Sequence, residues 1–283
     1  MLPSPALAPS VAQPAAAPGR GQLEFLDTGT RTVVTRAYAT APLRLLTPAN
    51  HGRAAWVYTS SYGGGLVDGD RTVIDIDVRK GATALLSSQA STKVYRSPCG
   101  TSMELNARVD DGAALMVMPD PVVCFGGARY RQAQRFRLSA GGTLVVCDCI
   151  LAGRYAAGER WEFVEYRSLL EITLGDRLLV HDAMMLRGED EELTRRFGRF
   201  NALALVAVVG TVFRSHTDRL LAWSAEQKVV PRPKLLVTAS NLSDEGCLLR
   251  IAGTSGEKVS GTIRTLLDFI PPWLGDDPWA RKW

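Results

Sequence analysis

The run at residues 63–97, GGGLVDGDRTVIDIDVRKGATALLSSQASTKVYRS, decides how the chain is read. It opens with a glycine triplet and a Gly69-Asp70 turn. Ile74, Ile76 and Val78 then alternate with Asp75, Asp77 and Arg79, and a Lys80-Gly81 turn leads into the small apolar run 82–86. Period-two alternation bounded by glycine turns predicts half-buried antiparallel strands, not helix. The stretch ends on a polar tail, in which eight of the ten residues 87–96 are hydroxyl, amide, basic or phenolic. A strand that polar cannot be core on both faces. A solvated edge is the expected reading, because edge strands are kept polar against misassociation. The alternative is a polar face turned to a partner or to a water-filled passage.

The same pattern extends outward. Short strands are expected at 23–26, 32–38, 43–46 and 56–60 before the glycine triplet. After the polar tail they are expected at 103–109, 113–118, 135–138, 143–150, 161–172 and 177–184, with glycine and aspartate turns between them. This density argues an all-β architecture, mainly β with two or three short helices. No repeat of fixed length is visible. The last third differs: 189–200 is helix-permissive, 201–213 reads as a strand and 215–227 as a short helix, with further strands at 235–239 and 247–252. Thr254-Ser255-Gly256-Glu257 has capping-box spacing. Val259, Ile263, Leu266, Leu267 and Ile270 follow on one face of a helix that Pro271-Pro272 should stop. Residues 1–21 are Ala/Pro-rich and are read as a disordered or polyproline-like extension, leaving 22–283 as one β domain.

Composition excludes several classes. The chain has 283 residues, 46% hydrophobic and 22% charged, with a net charge of +4. No Lys/Arg block makes an electrostatic case for nucleic acid. No run is long and apolar enough for a membrane helix. Five cysteines, at 99, 124, 147, 149 and 247, are an odd number without framework spacing and read as free thiols of a reducing, cytoplasmic compartment.

Catalytic motifs are missing. There is no phosphate-binding G-x-x-x-x-G-K-[ST] loop, G-x-S-x-G elbow or H-E-x-x-H pair, and GGGLVDG reads as a turn. His51, His181 and His216 stand far apart in unlike contexts. Cys147-Asp148-Cys149 is sharper: in a strand both thiols share one face and Asp148 takes the other. Two thiolates suit a soft metal, but no further ligand completes four, and buried free cysteine is the plainer reading. Asp70, Asp120, Asp148, Glu159 and Asp182 sit beside turns or inside apolar strands, where a charge needs a partner such as Arg71, Arg129, Arg154 or Arg160. They are either ion pairs holding turns, the favoured reading for Asp182, or spaced oxygen ligands along a polar passage for a divalent ion. Ala128-Arg129-Tyr130-Arg131-Gln132 reads as a partner surface or an exposed turn.

Four pieces in order, GGLVDGDR with LLSSQASTKVYRS, PDPVVCFGGARYRQ, AGRYAAGERWEF and the closing RKW, resemble the urease accessory protein UreD (UreH) family. The resemblance spans about residues 62–283. It implies an elongated, β-helix-like stack of strands and a non-enzymatic chaperone or scaffold for nickel insertion, with apo-urease and UreF as partners. Nickel would be in transit, not a tight cofactor, and the GTPase would be a separate subunit, UreG. It further implies an internal channel in the complex with UreF. Asp70, Asp148 and Glu159 fall in the matching segments and become the candidate transit ligands. Gln89, Thr92, Lys93, Tyr95, Arg96, Arg129, Tyr130 and Arg131 become the candidate partner contacts. Relatives often carry an aromatic after the aspartate at 148, where this chain has Cys149. Two other classes stay in play, a thiol- or metal-dependent hydrolase using Cys147 and Cys149, and a β-rich binding module that works alone.

Overall fold

The computed structural model describes residues 17–49, 52–188 and 191–280. Most of the Ala/Pro-rich extension, His51 and Arg281-Lys282-Trp283 lie outside these residues, although 19–21 already belong to the first strand. In chain order the strands are β1 Gly19–Asp27, β2 Thr32–Ala39, β3 Leu43–Leu46, β4 Ala55–Ser61, β5 Arg71–Val78 and β6 Thr83–Ser88. There follow β7 Thr92–Val94, β8 Thr101–Val109, β9 Ala114–Val117, β10 Val122–Cys124 and β11 Arg129–Leu138. β12 Thr143–Leu151, β13 Glu165–Leu174 and β14 Arg177–Leu186 complete the all-strand part. The rest is α1 Glu191–Phe197, β15 Ala202–Val209, α2 Arg214–Glu226, β16 Leu235–Asn241, β17 Gly246–Gly253, α3 Gly256–Leu266 and α4 Ile270–Leu274. The protein is β-rich with few helices.

Two sheets face each other. The outer one runs β14-β13-β11-β8-β5-β1-β2, and the middle one runs β16-β17-β15-β12-β9-β6-β4-β3, with β10 and β7 attached beside β12. From β4 to β13 the chain crosses between them repeatedly, so β5, β8, β11 and β13 pair in parallel, as do β4, β6, β9 and β12. This corrects the antiparallel expectation for 71–86. Alternation reports that one face is wet; it does not report strand direction. The Lys80-Gly81 turn does not fold β5 back on itself but carries the chain into the other sheet. Val78, Val109 and Leu138 stack in register. They are 31 and 29 residues apart, so the winding repeats in space without a fixed sequence period.

Burial pattern tells the sheets apart. β5 reads exposed-buried in alternation, as an outer sheet with one wet face must. β6 and β9 are buried at every position because the middle sheet is covered twice. Between the sheets lies a core that includes Phe25, Ile76, Leu86, Leu115, Phe136, Leu144 and Ile172. On the far side of the middle sheet, Met116, Val145, Val206 and Leu249 pack against Phe213, Leu220, Val259, Ile263 and Leu267 of the helical layer.

Two local expectations shift. The Ser255 side chain, not that of Thr254, caps α3 by accepting from the Lys258 N–H at 3.3 Å. Pro271 and Pro272 do not only end α3; they open α4, where a missing N–H is harmless at the first helical positions. The glycine triplet is a turn, with Gly63 and Gly64 at φ of 79° and 71°, a region that side chains other than glycine's rarely adopt.

Candidate functional site

β12 crosses the middle of the molecule, and its alternation sends Cys147 and Cys149 into the helix-covered core and Asp148 into the space between the sheets. A lone carboxylate there requires donors. The outer sheet supplies them: Gln132 Nε2 and Ser168 Oγ both donate to Asp148 Oδ2, the latter at 3.0 Å. Gln132 Nε2 also reaches Tyr166 Oη and Ser168 Oγ at 3.0 Å each. None of these partners is charged. Burial therefore raises the Asp148 pKa, the two hydrogen bonds pull against that rise, and Asp182 adds to it.

Asp148 lines two cavities. One, of about 220 Å³, reaches from Asp148, Gln132 and Gln134 past Tyr130 to Ser87, Ser88 and Thr92. The other, of about 280 Å³, extends in the opposite direction past Ser168 and Leu205 to Asp182 and Arg250. Together they form a seam between the sheets whose walls are mainly apolar, with Asp148, Gln132, Gln134, Ser168, Ser87 and Ser88 among its polar groups. It passes between sheets, so backbone hydrogen bonds remain within each sheet and the seam is lined by side chains.

Ser87 and Ser88 of the polar tail take part in this seam, and for them the solvated-edge expectation is overturned, whereas Gln89, Lys93 and Arg96 are exposed as it expects. β6 lies between β4 and β9, with Ser87 and Ser88 buried. Ser87 Oγ donates to the Met118 carbonyl at 2.7 Å, and Ser88 Oγ accepts from the Asp120 N–H at 2.8 Å. Gln89 Oε1 accepts from Ser60 Oγ at 2.9 Å, and Thr92 also lines the cavity. A side-chain hydroxyl satisfied within its own layer is what lets polar residues sit centrally.

The remaining candidates divide. Asp70 Oδ2 accepts from the Val67 N–H at 2.8 Å and holds its turn. Glu159 is paired with Arg154, whose Nε lies 2.9 Å away, and Arg154 holds its carboxyl below the usual range. Neither lines a cavity with Asp148, so the three carboxylates are not brought together. Asp120 does line the first cavity. Asp182 pairs with Arg250 across the two sheets, a pairing between strands where a turn-holding one was expected. Arg160 binds the Asn201 side chain and the Phe200 carbonyl.

Lys93, Arg96, Arg129 and Arg131 are exposed, and half-buried Tyr95 packs edge-on to Phe125 at 5.2 Å. Tyr130 is 1% exposed and cannot meet a partner at the surface, because strand alternation between Arg129 and Arg131 turns it inward. Arg131 and Arg167 converge on Glu165 at 3.5 and 2.8 Å. Glu165 is thereby held below its usual range, chiefly by Arg167.

Cys147 and Cys149 are buried, and burial pushes the Cys147 thiol up to about 12 and Cys149 higher still. Among the described residues no group of three or more His, Cys, Asp and Glu could hold a metal. His181 Nδ1 lies 3.1 Å from Glu171 and His216 stacks on Phe269 at 4.3 Å, so neither serves these thiols. No helix among the described residues is long and apolar enough to cross a membrane.

Ser168, Tyr166 and Arg250 were not singled out from sequence, and Gln132 only within the 128–132 stretch read as a partner surface or an exposed turn. Their signal is a polar residue on the inward phase of an alternating strand: Gln132 and Gln134 lie between Tyr130 and Phe136, and Ser168 between Tyr166 and Leu170.

A sequence model of the family described as UreD urease accessory protein matches residues 17–283. Urease accessory protein UreD of Sorangium cellulosum is 45% identical over 271 residues, 94% of this chain and 84% of the relative. Urease accessory protein UreD of Anaeromyxobacter is 40% identical over 265 residues, 93% and 89% of the two chains. Urease accessory protein D of Oryza sativa subsp. japonica is 33% identical over 302 residues, 96% and 97%. A β-rich chain matched from residue 17 to its end, with relatives aligned over most of their own length, belongs to the UreD family of urease accessory proteins.

Proposed function

We propose that this chain is a non-enzymatic maturation factor for urease, a chaperone-like scaffold that binds apo-urease and UreF and passes nickel between them. Asp148 carries the reading: a carboxylate between two sheets, held only by neutral donors and shared by two cavities. A divalent ion in transit needs oxygen ligands that attract it without closing around it. One carboxylate with amide and hydroxyl neighbours meets that need, whereas a cage of several carboxylates would retain the ion. Nucleotide hydrolysis is assigned to the separate GTPase UreG, since the sequence holds no phosphate loop. The repeated parallel winding supports the elongated β-helix-like stack expected of the family. Free thiols suit a reducing cytoplasm. A thiol hydrolase is disfavoured, because buried thiols with raised pKa values are poor nucleophiles.

The test is a pull-down with the tagged chain co-expressed with its host's apo-urease and UreF. Retention of both, weakened by charge reversal at Lys93, Arg96 or Arg131, is the expected result. Retention of neither by folded protein overturns the scaffold reading.

A further inference from the structure

The second cavity ends in an unusual closure. Register places Asp148 of β12 opposite Leu205 of β15, Leu205 opposite Arg250 of β17, and Arg250 opposite Thr238 of the edge strand β16. This row runs straight from the centre of the middle sheet to its rim. Two strand spacings, about 10 Å, separate the Asp148 and Arg250 backbones. The facing sheet ends at its own edge strand, β14, which contributes Asp182 and Met184 to the same cavity. At this rim the apolar packing that joins the sheets elsewhere gives way to an ion pair from Arg250 to Asp182. The Arg250 side chain is 52% exposed and that of Asp182 23%, so the pair lies at the boundary between cavity and solvent. A second inter-sheet pair, Arg177 to Glu245 at 3.0 Å, ties down the same rim further along.

We propose that the Asp182–Arg250 pair is a latch closing the side of the sandwich over the Asp148 cavity, and that Arg250 bars this opening to cations. Resting on the passage reading above, it makes the rim a shut side port and directs ions along the seam instead. The logic is electrostatic. The more exposed guanidinium meets an approaching cation first and repels it, while its less exposed carboxylate partner lies on the cavity side, where Asp148 feels its charge. Removing either partner opens the port and leaves the other's charge unpaired at its mouth, so the two removals select opposite ions.

The experiment uses the full-length chain with Cys99→Ser, which removes the exposed thiol, and a Leu205→Cys reporter midway between Asp148 and Arg250. Labelling rates are measured with methanethiosulfonates carrying either a trimethylammonium or a sulfonate group. Arg250→Met should speed labelling, the cationic reagent gaining about tenfold or more over the anionic one, as expected for a unit charge close to the path. Asp182→Asn should also speed labelling but favour the anionic reagent. Circular dichroism melts confirm that each variant is folded. Rates unchanged in both folded variants, or raised equally for both reagents, overturn the proposal. The readout does not involve urease, so failure of the latch and failure of nickel transit through Asp148 are separable.

Discussion

Asp148 is held where a carboxylate is least comfortable, and the sign of its effect on stability follows. Its folded pKa is raised, chiefly by burial. Below the unfolded value the group is neutral in both states and adds no penalty. As pH rises through the folded pKa, the native state must bear an ion it solvates poorly, and stability is lost. Asp148→Asn keeps an acceptor for Gln132 and Ser168 and removes the charge. It should therefore raise the melting temperature at pH 7 to 8 by about 2–4 °C, roughly 1 kcal/mol. The gain should vanish in melts run below the carboxylate range. A residue whose neutralisation stabilises the fold is retained for another reason. The thiols next to it behave oppositely. Cys147 and Cys149 are inert cargo of the helix-facing core, so of five cysteines only Cys99 should react promptly with Ellman's reagent in native protein. All five should react in guanidinium; rapid native reaction of a second thiol would revive the nucleophile reading.

At the scale of elements, strands were legible in sequence and their partners were not. The alternation in β5 and the turn at Lys80-Gly81 were plain, yet the same pattern serves hairpins and sheet-to-sheet crossings alike. Only the burial of β6 on both faces, which its run of small apolar residues hints at, separates the two. Ser87 and Ser88 of the polar tail were misplaced for a related reason: they are satisfied by Met118 and Asp120 from adjacent segments, and such partners lie some thirty residues away. Asp148 was singled out from its own strand, whereas Gln132 and Ser168, which hold it, stand on two others. Helix α3 was legible because its apolar stripe and cap are local. The cap is one residue later than the capping-box spacing suggests, which gives a sharp test. Ser255→Ala should lower stability by about 1 kcal/mol in urea melts, and Thr254→Ala by less than about 0.5 kcal/mol. The reverse order would restore the earlier cap.

The whole molecule is three layers: an outer sheet with one wet face, a middle sheet buried on both, and a helical cover. Most of that volume is sealed by ordinary apolar packing, and the seam through Asp148 is where a row of polar side chains enters between the sheets. It begins beside Ser87, Ser88 and Thr92, passes the Gln132–Asp148–Ser168 hydrogen bonds, and ends at the Asp182–Arg250 rim. In the function proposed above, this seam is the path of nickel in transit. The most direct measurement is the nickel content of urease purified after co-expression with its accessory proteins, comparing this chain with its Asp148→Leu variant. Leucine blocks the seam and removes its carboxylate without touching the outer surface. The account predicts that both chains are retained with urease and UreF while nickel per urease falls several-fold with the variant. Full nickel loading alongside an intact complex would contradict it.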